Sequence, residues 1–299
     1  MSEYKDKLAG VFPPLTTPFA QQQVAYDKLA ENIRRYNDTG LRGYMPLGSN
    51  GEFRSLTDEE AIGVVETVAR TRASGKTLIA GAGRESASAT VEFIKKIADI
   101  GVDFASVLTP HYFAGRMTDD ALIRYYAAVA DRSPVPIMLY NAPKFCAGVC
   151  VSPKVIETLA PHPMIAGMKD TSKEEIAGYV NAVPDGVDFW VLAGTINKFS
   201  AGLRAGAIGG VLSMADYLPG ICCELHALHL AGKDAEAHGL DERARALSKN
   251  AAGSLGVAGV KAAMDLLGYY GGEPRVPLMP VTGEERTRLA SVLEKEGLL

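Results

Sequence analysis

The strongest constraint on this chain is a rhythm. Short apolar or β-branched segments recur at intervals of about 20 to 35 residues, with helical patterns between them, which is the signature of repeated strand–helix units. The expected strands are Gly10–Pro14, Gly43–Leu47, Thr77–Gly81, Phe104–Leu108, Pro136–Tyr140, Ile165–Lys169, Phe189–Ala193 and Gly209–Ser213. Several are apolar throughout rather than alternating, as strands covered on both faces must be. The stretches between them carry helix starts. Thr57 with Glu60 has capping-box spacing and precedes Ile62, Val65 and Ala69; Ser172 with Glu175 repeats it ahead of Ile176 and Val180. Ser152 followed by Pro153 reads as an N-cap with proline at the first helical position, and Thr118 as the cap of a helix presenting Leu122 and Tyr126.

Eight such units fit a closed parallel (β/α)8 barrel, a TIM barrel, better than an open sheet. The chain has 299 residues, enough for one barrel and an appendage. From about Ile221 onward the strand signal ends. Asp234–Asn250, Gly259–Leu267 and Glu284–Glu296 read as helices, so residues 1–224 are expected to form the catalytic barrel and 225–299 a helical C-terminal extension.

Composition narrows the function classes. The charge sum is 31 basic against 35 acidic residues, or −4, with no block of like charge, which argues against a nucleic-acid binder. No stretch of about 18 apolar residues occurs, and the first ten residues interleave charges, so neither a membrane span nor a secretory leader is expected. Cys146, Cys150, Cys222 and Cys223 are closely spaced pairs in a long chain and read as reduced thiols of a cytoplasmic protein.

In such a barrel the chemistry sits where strands end and the following loops begin. Lys169 closes the apolar run Ile165-Ala166-Gly167-Met168, so its amine is expected at the mouth of an apolar barrel. Desolvation there favours the neutral amine, which can attack a ketone and form a Schiff base; the plainer alternatives are a lysine that reaches solvent or pairs with Asp170. Tyr140 ends the fifth strand and supplies a phenol for the proton transfers such chemistry needs, with Ser49 or Tyr112 tuning it, unless its ring merely packs the barrel. Ser49 and Asn50 lie between Gly48 and Gly51, a tight turn whose donors suit a carboxylate. Glu52 braces that turn. Gly81-Ala82-Gly83 lacks the third glycine of a dinucleotide fingerprint, and the Cys222, Cys223, His226, His229 group lacks the further ligands of a metal site, so no metal is expected.

Together, Gly48-Ser49-Asn50-Gly51-Glu52, Thr109-Pro110-His111-Tyr112, Tyr140-Asn141-x-Pro143 and Gly167-Met168-Lys169-Asp170 resemble the N-acetylneuraminate lyase/dihydrodipicolinate synthase family, in order across nearly the whole chain. The resemblance implies a (β/α)8 barrel with a helical extension, class I aldolase chemistry on pyruvate, no metal or organic cofactor, and a homotetramer built from tight dimers. It implies that Lys169 is the Schiff-base lysine and Tyr140 the proton-relaying phenol. Ser49 and Asn50 would then hold the keto-acid carboxylate. Tyr112 would reach a neighbouring subunit's site, Thr195 would contact substrate, and the Val211 carbonyl would line the pyruvate pocket.

Within the family, dihydrodipicolinate synthases carry a Thr-Thr pair where this chain has Ser49-Asn50. They also place an arginine near the position of Phe145. The strings GSNGEF, GRMTDDALIRYY and GYYGGEPRVPL resemble instead 4-hydroxy-2-oxoglutarate aldolases. The expected partners are therefore a small keto acid and an aldehyde. The alternatives are the synthase itself, a 2-keto-3-deoxy sugar-acid aldolase, and a keto-acid sensor without turnover.

Overall fold

The computed structural model describes residues 3–299. All eight expected strands are present: β1 (Gly10–Phe12), β2 (Gly43–Tyr44), β3 (Thr77–Gly81), β4 (Phe104–Leu108), β5 (Ile137–Asn141), β6 (Ile165–Asp170), β7 (Trp190–Ala193) and β8 (Gly209–Val211). They form one sheet in the order β1-β8-β7-β6-β5-β4-β3-β2. The ends of that order meet, because the Arg42 amide donates to the Val11 carbonyl at 2.9 Å and the Met45 amide to that of Pro13 at 3.1 Å. The fold is a (β/α)8 barrel with helices between its strands and further helices at the C-terminus. Every residue of β3, β4, β5 and β6 is buried, as the unbroken apolar runs require.

The helices are α1 (Glu3–Leu8), α2 (Tyr26–Asn37), α3 (Asp58–Thr71), α4 (Ala87–Ala98), α5 (Asp119–Ala130), α6 (Pro153–Leu159), α7 (Ile176–Asn181), α8 (Ile196–Ala205), α9 (Pro219–Leu230), α10 (Asp234–Asn250), α11 (Gly256–Leu266) and α12 (Gly283–Lys295). The chain divides into two compact units. The first comprises Thr77–Val211 with the N-terminal residues through Gly10; the second comprises Val11–Lys76 with Leu212–Leu299. The first is filled by Phe93, Phe104, Tyr126, Tyr179 and Phe199, the second by Phe12, Leu29, Ile33, Tyr36 and Tyr44. In the second, Tyr269 stacks on Tyr36 with ring centroids 4.8 Å apart. No helix among the described residues is long and apolar enough to cross a membrane.

The differences from expectation have local causes. The first two strands end early: Pro13 and Pro14 cannot donate to a ladder, and Leu47 adopts a left-handed φ of 62° just after Pro46. The last strand ends at Val211 because Ser213–Asp216 tightens into a 3-10 turn. Thr57 forms its capping box with Glu60, and Thr118 and Ser152 cap α5 and α6. Ser172 does not cap a helix as its spacing suggests. Its amide is taken by Asp170 Oδ1 at 3.0 Å, and Lys198 takes the carbonyls of Ser172 and Glu174, so α7 starts only at Ile176.

Candidate active site

The first unit places Lys169 and Tyr140 side by side. Pairing between β5 and β6 starts with Ile137 opposite Ile165 but continues with Met138 opposite Gly167, so Ala166 is an extra residue, a β-bulge. Without it Tyr140 would face Met168. With it Tyr140 faces Lys169 and Asn141 faces Asp170. Glycine is required at 167, since a Cβ there would lie 2.1 Å from the Trp190 carbonyl oxygen. Lys169 is 3% exposed, and its Nζ lies 4.2 Å from the centroid of the Tyr140 ring. The structure thus places a buried amine beside a phenol, and the bulge that creates the pairing carries no obvious signature in sequence.

Alternation along β6 sends the next residue to the opposite face. Asp170 does not pair with Lys169. It is fully buried and forms an ion pair with Lys198 of α8, while accepting from Asn141 Nδ2 at 2.9 Å and from the Ser172 amide. Asn141 in turn donates to Tyr179 Oη at 3.0 Å and accepts from the Val151 amide at 2.9 Å. Burial pushes the Tyr179 phenol well up, so it remains a neutral donor to the Val151 carbonyl. This network fixes the strand ends that carry Tyr140 and Lys169. Lys198→Met leaves an uncompensated buried carboxylate and is expected to cost about 3–5 kcal/mol in urea denaturation. Asp170→Asn added to it should recover most of the loss; no recovery would show that the pair is not the cause.

Thr195 stands at the N-cap position of α8, yet its hydroxyl makes no capping hydrogen bond to that helix. Val211 ends β8 and is buried. Tyr112 is 79% exposed and packs edge-on against Phe113, which is 68% exposed. Its loop is held by Glu85, which accepts from the backbone amides of His111 and Tyr112, each at 2.9 Å.

Ser49 and Asn50 belong to the second unit, in a turn closed by the Gly51 amide on the Gly48 carbonyl and the Glu52 amide on that of Ser49, both at 3.1 Å. Thr17 Oγ1 donates to the Gly51 carbonyl at 2.7 Å. A side chain at Gly51 would press on the Leu15 carbonyl and the Leu47 amide, at 3.0 and 3.1 Å. Asn50 Nδ2 donates to Asp216 Oδ2 at 3.0 Å, and Asp216 is fully buried. One amide hydrogen of Asn50 is therefore committed to a carboxylate that sequence reasoning did not single out. Glu52 braces the turn as expected: its Oε2 accepts from the Arg275 amide at 2.8 Å, and its Oε1 lies 2.6 Å from Lys261 Nζ.

Arg275 also grips Glu60 through two bonds of 2.7 and 2.8 Å. Those bonds hold the Glu60 carboxyl below its ordinary 4.5. A depressed folded-state value means stabilisation that is present above pH 4.5 and is lost as pH falls through the folded value. The stability difference between wild type and Glu60→Gln, followed by urea midpoints, should therefore shrink below pH 4.5; a constant difference would contradict the assignment.

Other features do not join this chemistry. A cavity of about 670 Å³ in the second unit, lined by Phe19, Asp265, Tyr270 and Arg286 among others, contains none of the expected site residues. No disulfide joins the four cysteines; burial raises the Cys223 thiol to about 11 and that of Cys222 further. Among the described residues no cluster of three or more His, Cys, Asp or Glu side chains is arranged to hold a metal ion.

A sequence profile of the Dihydrodipicolinate synthetase family matches residues 7–296, and the chain belongs to that family. With a (β/α)8 barrel and a buried strand-end lysine beside a tyrosine, the family match makes this chain a carbon–carbon lyase of the pyruvate-dependent class I aldolase type. It is similar to the 4-hydroxy-tetrahydrodipicolinate synthase of Jannaschia sp. (strain CCS1), with 31% identity over 97% of this chain and 99% of that one. Among solved structures it is similar to dihydrodipicolinate synthase from Thermotoga maritima (TM-score 0.92, 25% identity, 97% of this chain and 99% of that one). It is likewise similar to a prophage protein of the dihydrodipicolinic acid synthase family from E. coli K12, solved in complex with pyruvate (TM-score 0.89, 25% identity, 98% and 99%).

Proposed function

We propose that this enzyme reversibly cleaves a 4-hydroxy-2-oxo acid, such as 4-hydroxy-2-oxoglutarate, to pyruvate and an aldehyde such as glyoxylate. The observation that carries the reading is the buried Lys169 amine 4.2 Å from the centre of the Tyr140 ring. The amine adds to the C2 ketone, water leaves, and the iminium acts as electron sink. As the carbinolamine loses water, Tyr140 gives its phenolic proton to the departing hydroxyl; the phenolate so formed takes the proton of the C4 hydroxyl, the C3–C4 bond breaks, and the aldehyde departs, leaving an enamine. Protonation at C3 and hydrolysis of the iminium release pyruvate and restore the amine.

In this reading Ser49 and Asn50 hold the keto-acid carboxylate, Thr195 contacts the substrate, and the Val211 carbonyl lines the pyruvate pocket. Tyr112 serves the relay of a neighbouring subunit in a homotetramer of tight dimers; its exposure and that of Phe113 support a role outside its own chain's core. The aldehyde assignment draws on the GSNGEF and GYYGGEPRVPL strings; Phe145, half-exposed just beyond β5, stands near the place where synthases carry an arginine, so a distal carboxylate would need another cation, for which Lys144 is the candidate. A second reading, condensation of pyruvate with aspartate semialdehyde, is favoured by the name of the Jannaschia relative. Two assays on one preparation separate them: pyruvate release from 4-hydroxy-2-oxoglutarate, followed with lactate dehydrogenase, and consumption of aspartate semialdehyde with pyruvate. The proposal expects the first to dominate. Efficient condensation with negligible cleavage would overturn it in favour of the second.

A further inference from the structure

Lys261 is a fully buried cation that the chemistry above does not use. It belongs to α11, within the C-terminal helices, and its Nζ lies 2.6 Å from Glu52 Oε1. It also donates to the Glu273 carbonyl at 3.2 Å and lies 4.4 Å from the Phe19 ring centroid; the Arg275 guanidinium lies 4.4 Å from the same ring. Glu52, two residues after Asn50, has a left-handed φ of 51°, a conformation disfavoured for a residue with a side chain. It persists because both carboxylate oxygens are anchored to the C-terminal segment, one by Lys261 and one by the Arg275 amide. Burial drives the Lys261 ammonium below its ordinary value while the Glu52 carboxylate pulls it back up. A buried ion pair is rarely a gain in stability over apolar residues of similar size, so its retention calls for another reason.

We propose that Lys261, acting through Glu52, is a positioning residue that sets the Ser49–Asn50 turn for the keto-acid carboxylate. The inference rests on the reading that this turn binds the carboxylate. It makes substrate affinity depend on a helix of the C-terminal extension, whereas carbon–carbon cleavage at Lys169 does not.

The test compares wild type, the double variant Glu52→Gln/Lys261→Met, which leaves no lone charge, and Glu52→Gln, in which an amide replaces the carboxylate and Lys261 can shed its proton. Each is titrated with pyruvate under borohydride trapping and assayed for cleavage. A displacement of the turn by a fraction of an ångström should raise the pyruvate concentration for half-maximal trapping about ten-fold in the double variant and less in Glu52→Gln, with kcat at saturation within about two-fold of wild type. A purely structural role would shift the unfolding transition and leave half-saturation in place, and that result overturns the proposal. Should the double variant fail to fold, Glu52→Gln decides by the same criterion. Absence of trapping in wild type would overturn the keto-acid reading itself, and this inference with it; trapping with wild-type half-saturation in the variants overturns only the inference.

Discussion

Lys169→Ala is expected to lower turnover by at least about 10³-fold, because the group that forms the covalent bond is gone and no neighbouring amine replaces it on that face of β6. Lys198, which the fold brings to the end of β6, is committed to Asp170 and to the carbonyls of Ser172 and Glu174. Lys169→Arg should be equally inactive. A guanidinium keeps the charge and much of the length but does not release a proton to become a nucleophile. The two variants together separate the need for a cation from the need for an amine: if Lys169→Arg retained substantial activity, Lys169 would act as an electrostatic group and the covalent mechanism would fail. Far-UV circular dichroism matching wild type establishes that both variants fold.

Tyr140→Phe is expected to lower kcat by about 10²- to 10⁴-fold, the usual contribution of a positioned proton-transfer group. The ring that packs beside Lys169 is preserved, so the effect isolates the hydroxyl. Pyruvate should still be trapped on Lys169, more slowly, since Schiff-base formation also requires proton transfers. A kcat within two-fold of wild type would remove Tyr140 from the relay and leave it as a packing residue.

Much of this was legible in sequence because the physics is local. Unbroken apolar runs such as Leu78–Ala80 and Ile137–Leu139 announce strands covered on both faces, and the rule that function gathers at strand ends selects Lys169, Tyr140 and Ser49 before any motif is consulted. Capping residues set α3, α5 and α6 for the same reason. What sequence did not reveal depends on contacts between distant segments. Ser172 has a capping spacing, but Asp170 and Lys198 claim its backbone. The bulge at Ala166 decides which side chain faces Tyr140, and nothing in Ile165–Met168 beyond a glycine hints at it. Asp216 and Lys261 lie far along the chain from the turn they secure, and only folding joins them to Asn50 and Glu52. The one sign of Lys261 in sequence is a charged residue within the otherwise apolar run Gly259–Met264 of α11.

The central claim is that the Lys169 amine forms a covalent bond to a 2-oxo acid. Incubation with pyruvate and borohydride, followed by proteolysis and mass spectrometry of the peptides, tests it directly. The account predicts a reduced pyruvate adduct on the peptide containing Lys169 and none on those containing Lys198 or Lys261. No adduct, or an adduct that persists in Lys169→Ala, would contradict it.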